Sequence, residues 1–190
     1  MGKTVGVLAL QGDFHQHEKT LHRLKIQSKR IRTPEELECC DALILPGGES
    51  TTFINLLKKT GLYQTIQQFS KDHPVMGTCA GLITLSSRIT NNSMDPLGLI
   101  DIEVERNAYG RQVDSFVESV HVPMFKDRPE FEGVFIRAPR IINLGKDVES
   151  LGFLQDQVVM ARNSRILVTS FHPELSRDGR VHQYFIDSLI

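Results

Sequence analysis

Pro74-Val75-Met76-Gly77-Thr78-Cys79-Ala80-Gly81-Leu82-Ile83 is the stretch whose reading decides the fold. It opens as a short apolar run, as a strand does, and leaves as a helical pattern. Between the two sits Gly77-Thr78-Cys79-Ala80-Gly81, a spacing that builds a sharp turn from strand to helix. The reason is steric. Glycines on either side let neighbouring backbone come close and hold the central side chain forward. The backbone N–H of Ala80 opens the helix and points at whatever reacts with Cys79. A helix N-terminus also favours a thiolate. A lone cysteine is more commonly a small buried hydrophobe, so the pentapeptide leaves an inert and a nucleophilic reading open.

Upstream, Thr4 to Leu10 is a nearly continuous apolar run closed by Gln11-Gly12-Asp13. It reads as a strand buried on both faces, as in a parallel sheet. Phe14, His17, Leu21 and Leu24 then recur at helical spacing. Gln27 to Arg32 reads as a second strand. Thr33-Pro34-Glu35-Glu36 supplies a cap, an N1 proline and an acidic first turn for a short helix. Asp41 to Leu45 is the next buried strand, ended by Pro46-Gly47-Gly48. Helical patterns follow at Phe53 to Lys59 and at Leu62, Ile66 and Phe69. This alternation predicts a doubly wound α/β architecture: a mostly parallel open sheet with helices on both faces.

Downstream of Asn91 the pattern changes. Leu99 to Val104, Phe116 to Val122, Val134 to Ile136 and Val158 to Met160 read as antiparallel strands added to the parallel core. Ile166 to Phe171 is expected to return to the core. Val181, Tyr184, Phe185 and Leu189 give a final helix one apolar face. No repeat, linker or low-complexity tract divides the chain, so residues 1–190 are read as one domain.

Composition narrows the partners. A net charge of −1 gives no electrostatic case for nucleic acid or a membrane surface. Cys39, Cys40 and Cys79 are odd in number and form no Cys-x-x-Cys, which argues for a reducing, cytoplasmic setting. No run reaches membrane-spanning length. Asn91-Asn92-Ser93 is a formal glycosylation sequon, read as a polar loop. His15 and His17 lie two apart on the first helix and would not face each other, so no metal site is expected.

Ligands of open α/β sheets sit at the carboxyl ends of the strands. Four such ends carry unusual chemistry: Gln11-Gly12, Pro46-Gly47-Gly48-Glu49-Ser50, Cys79 and His172-Pro173-Glu174. A cysteine nucleophile needs a base, and His172 follows the last core strand directly. Glu174 lies two residues on, on the same side of an extended segment, and is placed to orient the imidazole. The catalytic reading is therefore Cys79, His172 and Glu174. Gly48 offers a backbone N–H opposite that of Ala80, the makings of an oxyanion hole, with Ser50 or Thr51 as cap of the following helix. The same glycine turn lacks the lysine of a phosphate loop.

Gly77-Thr78-Cys79-Ala80-Gly81 with a distant His172-Pro173-Glu174 resembles the class I, triad-type glutamine amidotransferases, whose fold is flavodoxin-like. Two further stretches are similar to the glutaminase subunits of pyridoxal 5′-phosphate synthase: Pro46 to Thr52, and Glu105 to Phe116 with its Arg111-Gln112-Val113-Asp114-Ser115-Phe116 run. Leu8 to Gly12 and Gly133 to Pro139 fit as well. Asp13-Phe14-His15 is more polar than that family's pattern, and Tyr109 stands where phenylalanine is usual. The resemblance implies hydrolysis of L-glutamine through a thioester on Cys79, without a cofactor. It further implies passage of ammonia to a (β/α)₈-barrel synthase subunit in a large hetero-oligomer. It places Gly47, Gly48, Glu49, Arg106, Ile136 and Arg137 at the glutamine site. The planar fork of Arg106 suits an α-carboxylate. Gln11, on a neighbouring strand end, is positioned to carry a partner's contact to the Gly47-Gly48 peptide. The rival readings are a glutaminase serving another synthase, a non-catalytic regulatory subunit of the same fold, and a cysteine peptidase. The Arg111 to Phe116 run, the complete triad and Arg106 argue against them in turn.

Overall fold

The computed structural model describes residues 2–90, 94–106, 108 and 115–190. The Asn91-Asn92-Ser93 sequon, Tyr109 and the segment Arg111 to Asp114 lie outside the described residues. The first half alternates as its patterning requires. β1 (Thr4–Leu8), α1 (Phe14–Arg23), β2 (Gln27–Ile31), α2 (Pro34–Leu37) and β3 (Ala42–Leu45) come first. Next are α3 (Ser50–Thr60), α4 (Leu62–Phe69), β4 (Val75–Thr78) and α5 (Ala80–Leu85). The second half is mostly strand: β5 (Ser86–Ile89), β6 (Ile100–Glu105), β7 (Ser115–His121), β8 (Glu130–Ile136), β9 (Arg140–Leu144), β10 (Glu149–Leu154), β11 (Gln157–Arg162) and β12 (Ile166–Thr169). A 3₁₀ turn at Pro173–Leu175 and α6 (Arg180–Leu189) close the chain.

Among the described residues the main sheet has nine strands in the order β2-β1-β3-β4-β12-β11-β10-β7-β8. The first five are parallel. From β12 outward the pairs are antiparallel. The apolar runs of β1, β3, β4 and β12 are continuous because both faces are covered. Leu8, Leu43, Leu45, Val75 and Val168 point to one side, against Phe53, Leu57, Ile66 and Leu82 of α3, α4 and α5. Val5, Val7, Ile44, Met76 and Leu167 point to the other, against Leu21 of α1 and Val181 and Phe185 of α6.

One expectation is corrected. The Leu99–Val104 strand does not extend the core sheet. As β6 it belongs to a separate three-stranded sheet, parallel to β5 and antiparallel to β9. β5 follows α5 without a loop, so its direction is fixed by that helix, and β6 pairs with it there. β7, β8 and β11 do extend the core, with β10 between them. Among the described residues no helix is long and apolar enough to cross a membrane.

Candidate active site

β1, β3, β4 and β12 are neighbours, so their carboxyl ends meet on one rim. Cys79 stands there between β4 and α5, with φ 50° and ψ −102°. That lies outside the left-handed helical well, a conformation costing of order 1–3 kcal/mol for an L residue. Its surroundings impose it. The Cys79 N–H donates to the Thr169 carbonyl at 2.9 Å, and the Cys79 carbonyl accepts from Ile83 N–H at 3.2 Å. A Cβ on Gly81 would stand 2.2 Å from the Leu45 carbonyl oxygen, so only glycine permits this approach of α5 to β3. The Cys79 thiol is buried and lies 3.6 Å from the Ile136 carbonyl oxygen.

His172 leaves the end of β12, its N–H donating to the Val134 carbonyl at 2.8 Å. Its Nδ1 is 2.7 Å from Glu174 Oε1, and both side chains are buried. Burial opposes a charge on His172, but hydrogen bonds with Cys79 and then Glu174 outweigh it and raise the imidazole above its ordinary range, which makes it a stronger base toward the thiol. Burial likewise opposes the charge of Glu174. The field of His17, then the hydrogen bond with His172, holds it below the ordinary carboxylate range. His17 is itself pushed down by burial, so it is neutral. What reaches Glu174 is then the dipole of a ring N–H and not a full positive charge. A carboxylate behind an imidazole holds the ring's tautomer and stabilises its cation. A thiol beside that ring has a proton acceptor.

Opposite, the glycine turn after β3 leads into α3. Gly48 has φ 150°. The cap of α3 is Glu49, not Ser50 or Thr51: its carboxylate accepts from Thr51 N–H at 3.1 Å and Thr52 N–H at 2.7 Å. Burial opposes this charge too, and the Thr52 and Thr51 bonds outweigh it, bringing Glu49 to about 2. A carboxylate suits this position because it can accept both bonds while keeping a lone pair for Arg106, whose Nη2 is 3.1 Å from Glu49 Oε1. The Gln11 side chain brackets the Glu49 backbone. It donates to the Glu49 carbonyl at 3.2 Å and accepts from the Glu49 N–H at 3.2 Å.

A cavity of about 290 Å³ lies between these groups, lined by Cys79, His172, Gly48, Glu49, Arg106, Ile136 and Arg137 among others. All seven were expected at the site. Glu174 and Gly47 stand behind His172, and a Cβ on Gly47 would come 2.3 Å from His172 Cε1. Ala80 begins α5 beside Cys79, and Gln11 sits one layer out, on the Gly48-Glu49 turn. Asp13, Ser50 and Ile83 also line the cavity. His17, which touches Glu174 from behind, was not foreseen. Its place on the apolar stripe of α1, with Phe14 and Leu21, was the available signal, because a buried imidazole needs a polar partner. The arrangement can support nucleophilic attack by sulfur on a carbonyl, with proton transfer by His172.

The model of the SNO glutamine amidotransferase family matches residues 7–190. A protein of Thermosipho africanus named pyridoxal 5′-phosphate synthase subunit PdxT is 48% identical over 184 residues, 96% of this chain and 97% of the relative. Its namesake in Fervidobacterium nodosum is 50% identical over 183 residues, 96% and 95% of the two chains. A crystal structure described as a glutamine amidotransferase superposes with a TM-score of 0.92 at 45% identity, covering 96% of this chain and 97% of its own. PurLQS from Thermotoga maritima, with a TM-score of 0.75 at 14% identity over 98% and 99% of the chains, shares the fold. The matched span takes in every residue that lines the cavity, and the chain belongs to the SNO glutamine amidotransferase family.

Proposed function

We propose that this protein is the glutaminase subunit of a pyridoxal 5′-phosphate synthase, hydrolysing L-glutamine to L-glutamate and ammonia and passing the ammonia to a synthase subunit. The shared name of the relatives supports the pathway. One structural observation carries the chemistry: Cys79, His172 and the Glu49–Arg106 pair face a single cavity. A free amino acid presents one cation and one anion at its head. Arg106 offers a fork for the α-carboxylate, and Glu49 an acceptor for the α-ammonium. The Ile136 and Arg137 backbone and Gly48 complete the walls, with Gly47 behind His172.

Cys79 gives its proton to His172, and its sulfur attacks the side-chain amide carbon. The carbonyl oxygen becomes an oxyanion, received by the N–H groups of Gly48 and Ala80. His172 hands the proton to the departing nitrogen, the C–N bond breaks, and ammonia leaves a γ-glutamyl thioester on Cys79. Water then gives a proton to His172 and attacks the same carbon. The C–S bond breaks, the proton returns to sulfur and glutamate departs. Glu174 stays ionised throughout and stabilises the imidazolium. Side chains and water supply every step.

The partner is taken to be a (β/α)₈-barrel subunit in a large hetero-oligomer, the setting cytoplasmic, and residues 1–190 one working unit. Gln11 is the residue through which the partner acts on the Gly47-Gly48 turn. The test is steady-state release of glutamate and ammonia from the full chain across a titration of the barrel subunit. Cys79→Ala should abolish release while keeping the fold. Release by Cys79→Ala at the wild-type rate would refute the mechanism. Full activity without partner would refute the coupling.

A further inference from the structure

Behind the triad lies a second, fully buried pair that the reaction as described does not use. His17 on α1 and His182 on α6 are both without solvent exposure. His17 Nδ1 is 2.9 Å from His182 Nε2. The other ring nitrogen of His17, Nε2, is 3.3 Å from Thr78 Oγ1 and 3.5 Å from Glu174 Oε2. Glu174 Oε1 is taken by His172. Glu174 Oε2 is buried without a hydrogen bond of its own, and so is His182 Nδ1.

These contacts fix the protons. An ionised carboxylate only accepts, so the His17 nitrogen facing it carries the hydrogen. His17 Nδ1 is then a bare acceptor, and His182 must donate to it from Nε2. That leaves His182 Nδ1 as an unprotonated nitrogen, the state in which a buried ring atom without an acceptor is least costly. Any other pair of neutral tautomers turns lone pair against lone pair, or hydrogen against hydrogen, at one of the contacts. Burial outweighs the field of Glu174 and holds both rings below their ordinary range, so both are neutral.

We propose that His17 is a positioning residue of the triad: its Nε2–H, locked in that tautomer by His182, is shared between Thr78 Oγ1 at 3.3 Å and the second oxygen of Glu174 at 3.5 Å, and the positive end of its dipole fixes the rotation of that carboxylate behind His172. The role rests on the reading of Cys79, His172 and Glu174 as the triad. With His17 in place, Glu174 meets His172 through Oε1 alone. Without it, the buried Oε2 loses the polar neighbour it has at 3.5 Å, and the carboxylate either turns away or takes up a proton more readily. The groups around Glu174 are His17 from α1, His172 from its own segment and its own backbone N–H. His17 in turn is faced by Glu174, His172, Asp13 and His182, and His182 by Arg23. None of these supplies a second donor to Oε2.

The test uses the full chain with saturating barrel partner and three variants: His17→Leu, His17→Gln and His182→Leu. His17→Leu fills the space and removes the donor. Its kcat should fall about tenfold, the rate equivalent of a weak polar contact to a charged group, with KM unchanged. The acid limb of its pH profile should move to higher pH, because Glu174 then protonates more easily. His17→Gln returns an N–H to the same place and should recover most of kcat and the pH limb. His182→Leu should fall between the two. The low-field proton resonance of the His172–Glu174 bond should be lost in His17→Leu and kept in His17→Gln, a readout independent of turnover. Equal loss in His17→Leu and His17→Gln would mean that only ring shape matters and would overturn the proposal, as would an unchanged kcat and pH limb in His17→Leu. Should His17→Leu not fold, His17→Gln and His182→Leu decide: a greater loss in His17→Gln overturns it. Cys79→Ala in parallel separates the two failures, since activity there removes the triad reading itself.

Discussion

The position of His172 is set from behind by a residue that never faces the cavity. A methyl group on Gly47 would stand 2.3 Å from His172 Cε1, 2.9 Å from Nδ1 and 3.3 Å from Nε2. An ordinary carbon contact is about 3.5 Å, so Gly47→Ala asks for about 1.2 Å of relief. The loop cannot supply it by retreating toward β1: a Cβ on Gly12 would lie only 1.8 Å from the Gly47 carbonyl oxygen, so those backbones are already in contact. His172 is pinned by Glu174 at 2.7 Å and by Val134 at 2.8 Å. The ring is the softer partner and should tilt, drawing away from Cys79. A displacement of about 1 Å at a reacting group costs on the order of 10² in rate, and overpacking costs about 1–3 kcal/mol of stability. Gly47→Ala should therefore lower kcat about a hundredfold and leave KM nearly as it was, read by glutamate release at saturating partner alongside thermal unfolding. Gly61→Ala is the control. It is strained at φ 76° but meets only Pro34 Cγ at 3.7 Å, so it should lose about 1 kcal/mol and no activity. A kcat within about twofold of wild type in Gly47→Ala, or an equal loss in Gly61→Ala, would refute the reasoning.

Four further outcomes are expected. An electrophilic glutamine analogue should label Cys79 and spare Cys40, whose thiol burial pushes up to about 11, and Cys39, which lies far from the cavity; equal labelling of all three by mass spectrometry would count against the site. Arg106→Lys keeps the charge and loses the fork, so KM should rise with a smaller change in kcat; an unchanged KM removes Arg106 from substrate binding. His182, held near 3 by burial first and by His17 next, stays neutral in the fold while the unfolded chain takes up its proton below pH 6.5; stability is lost as pH falls through that window, by about 2 kcal/mol between pH 7 and pH 5. Denaturant unfolding of His182→Leu, in which His17, Glu174 and Arg23 remain, should show that much less loss, and an unchanged pH dependence would exclude it. Gln11→Ala should lower the activation by the barrel partner while glutamine still binds, and normal activation would remove Gln11 from the coupling.

Much of this architecture was legible because its signals are local. β1, β3 and β12 are continuous apolar runs, the form a strand takes when helices cover both faces, and each is closed by a glycine, proline or histidine turn. The capped start of α2 needed only Thr33, Pro34 and Glu36, and the Glu36 carboxylate does accept from the Thr33 N–H at 3.2 Å. β5, β9 and β10 were illegible. Arg140–Leu144 and Ser86–Ile89 are short and mixed in polarity, and they pair at the margin where burial imposes no alternation. β6 was legible as a strand from its alternation of buried Ile100, Ile102 and Val104, but the identity of its partner is a long-range fact. Of the cavity-lining residues, Cys79, His172 and Gly48 carried chemical marks, Glu49, Arg106, Ile136 and Arg137 came through the family resemblance, and Asp13, Ser50 and Ile83 carried no mark that set them apart. His17 carried a mark that pointed elsewhere. Set beside His15 and His22 it reads as a metal question, whereas its partners lie at positions 78, 174 and 182, joined to it only by the packing of α1 and α6 on one face of the sheet.

The two halves of the site differ in what holds them, and the difference decides which half a partner can move. The base half is sealed: His172, Glu174, His17 and His182 are all buried, and displacing any of them leaves a polar atom without water or protein to meet it. The half proposed to receive the oxyanion and the substrate's head is open. Its Gly48-Glu49 turn is held from outside by two 3.2 Å bonds to the Gln11 amide, both exposed, and such bonds exchange with water at little net cost. Gly48, at φ 150°, adds little resistance of its own. Yet Gln11 and His17 belong to one segment, the end of β1 running into α1, and they touch the two halves in turn. A partner that grips the start of α1 therefore meets a stiff element anchored at His17 and a loose one at Gln11. The motion expected of it is rotation of the Gly47-Gly48 peptide, with Cys79 and His172 left where they stand. Activation by that route raises kcat through the oxyanion donor and leaves the ionisation of the triad, and so the pH limbs, in place.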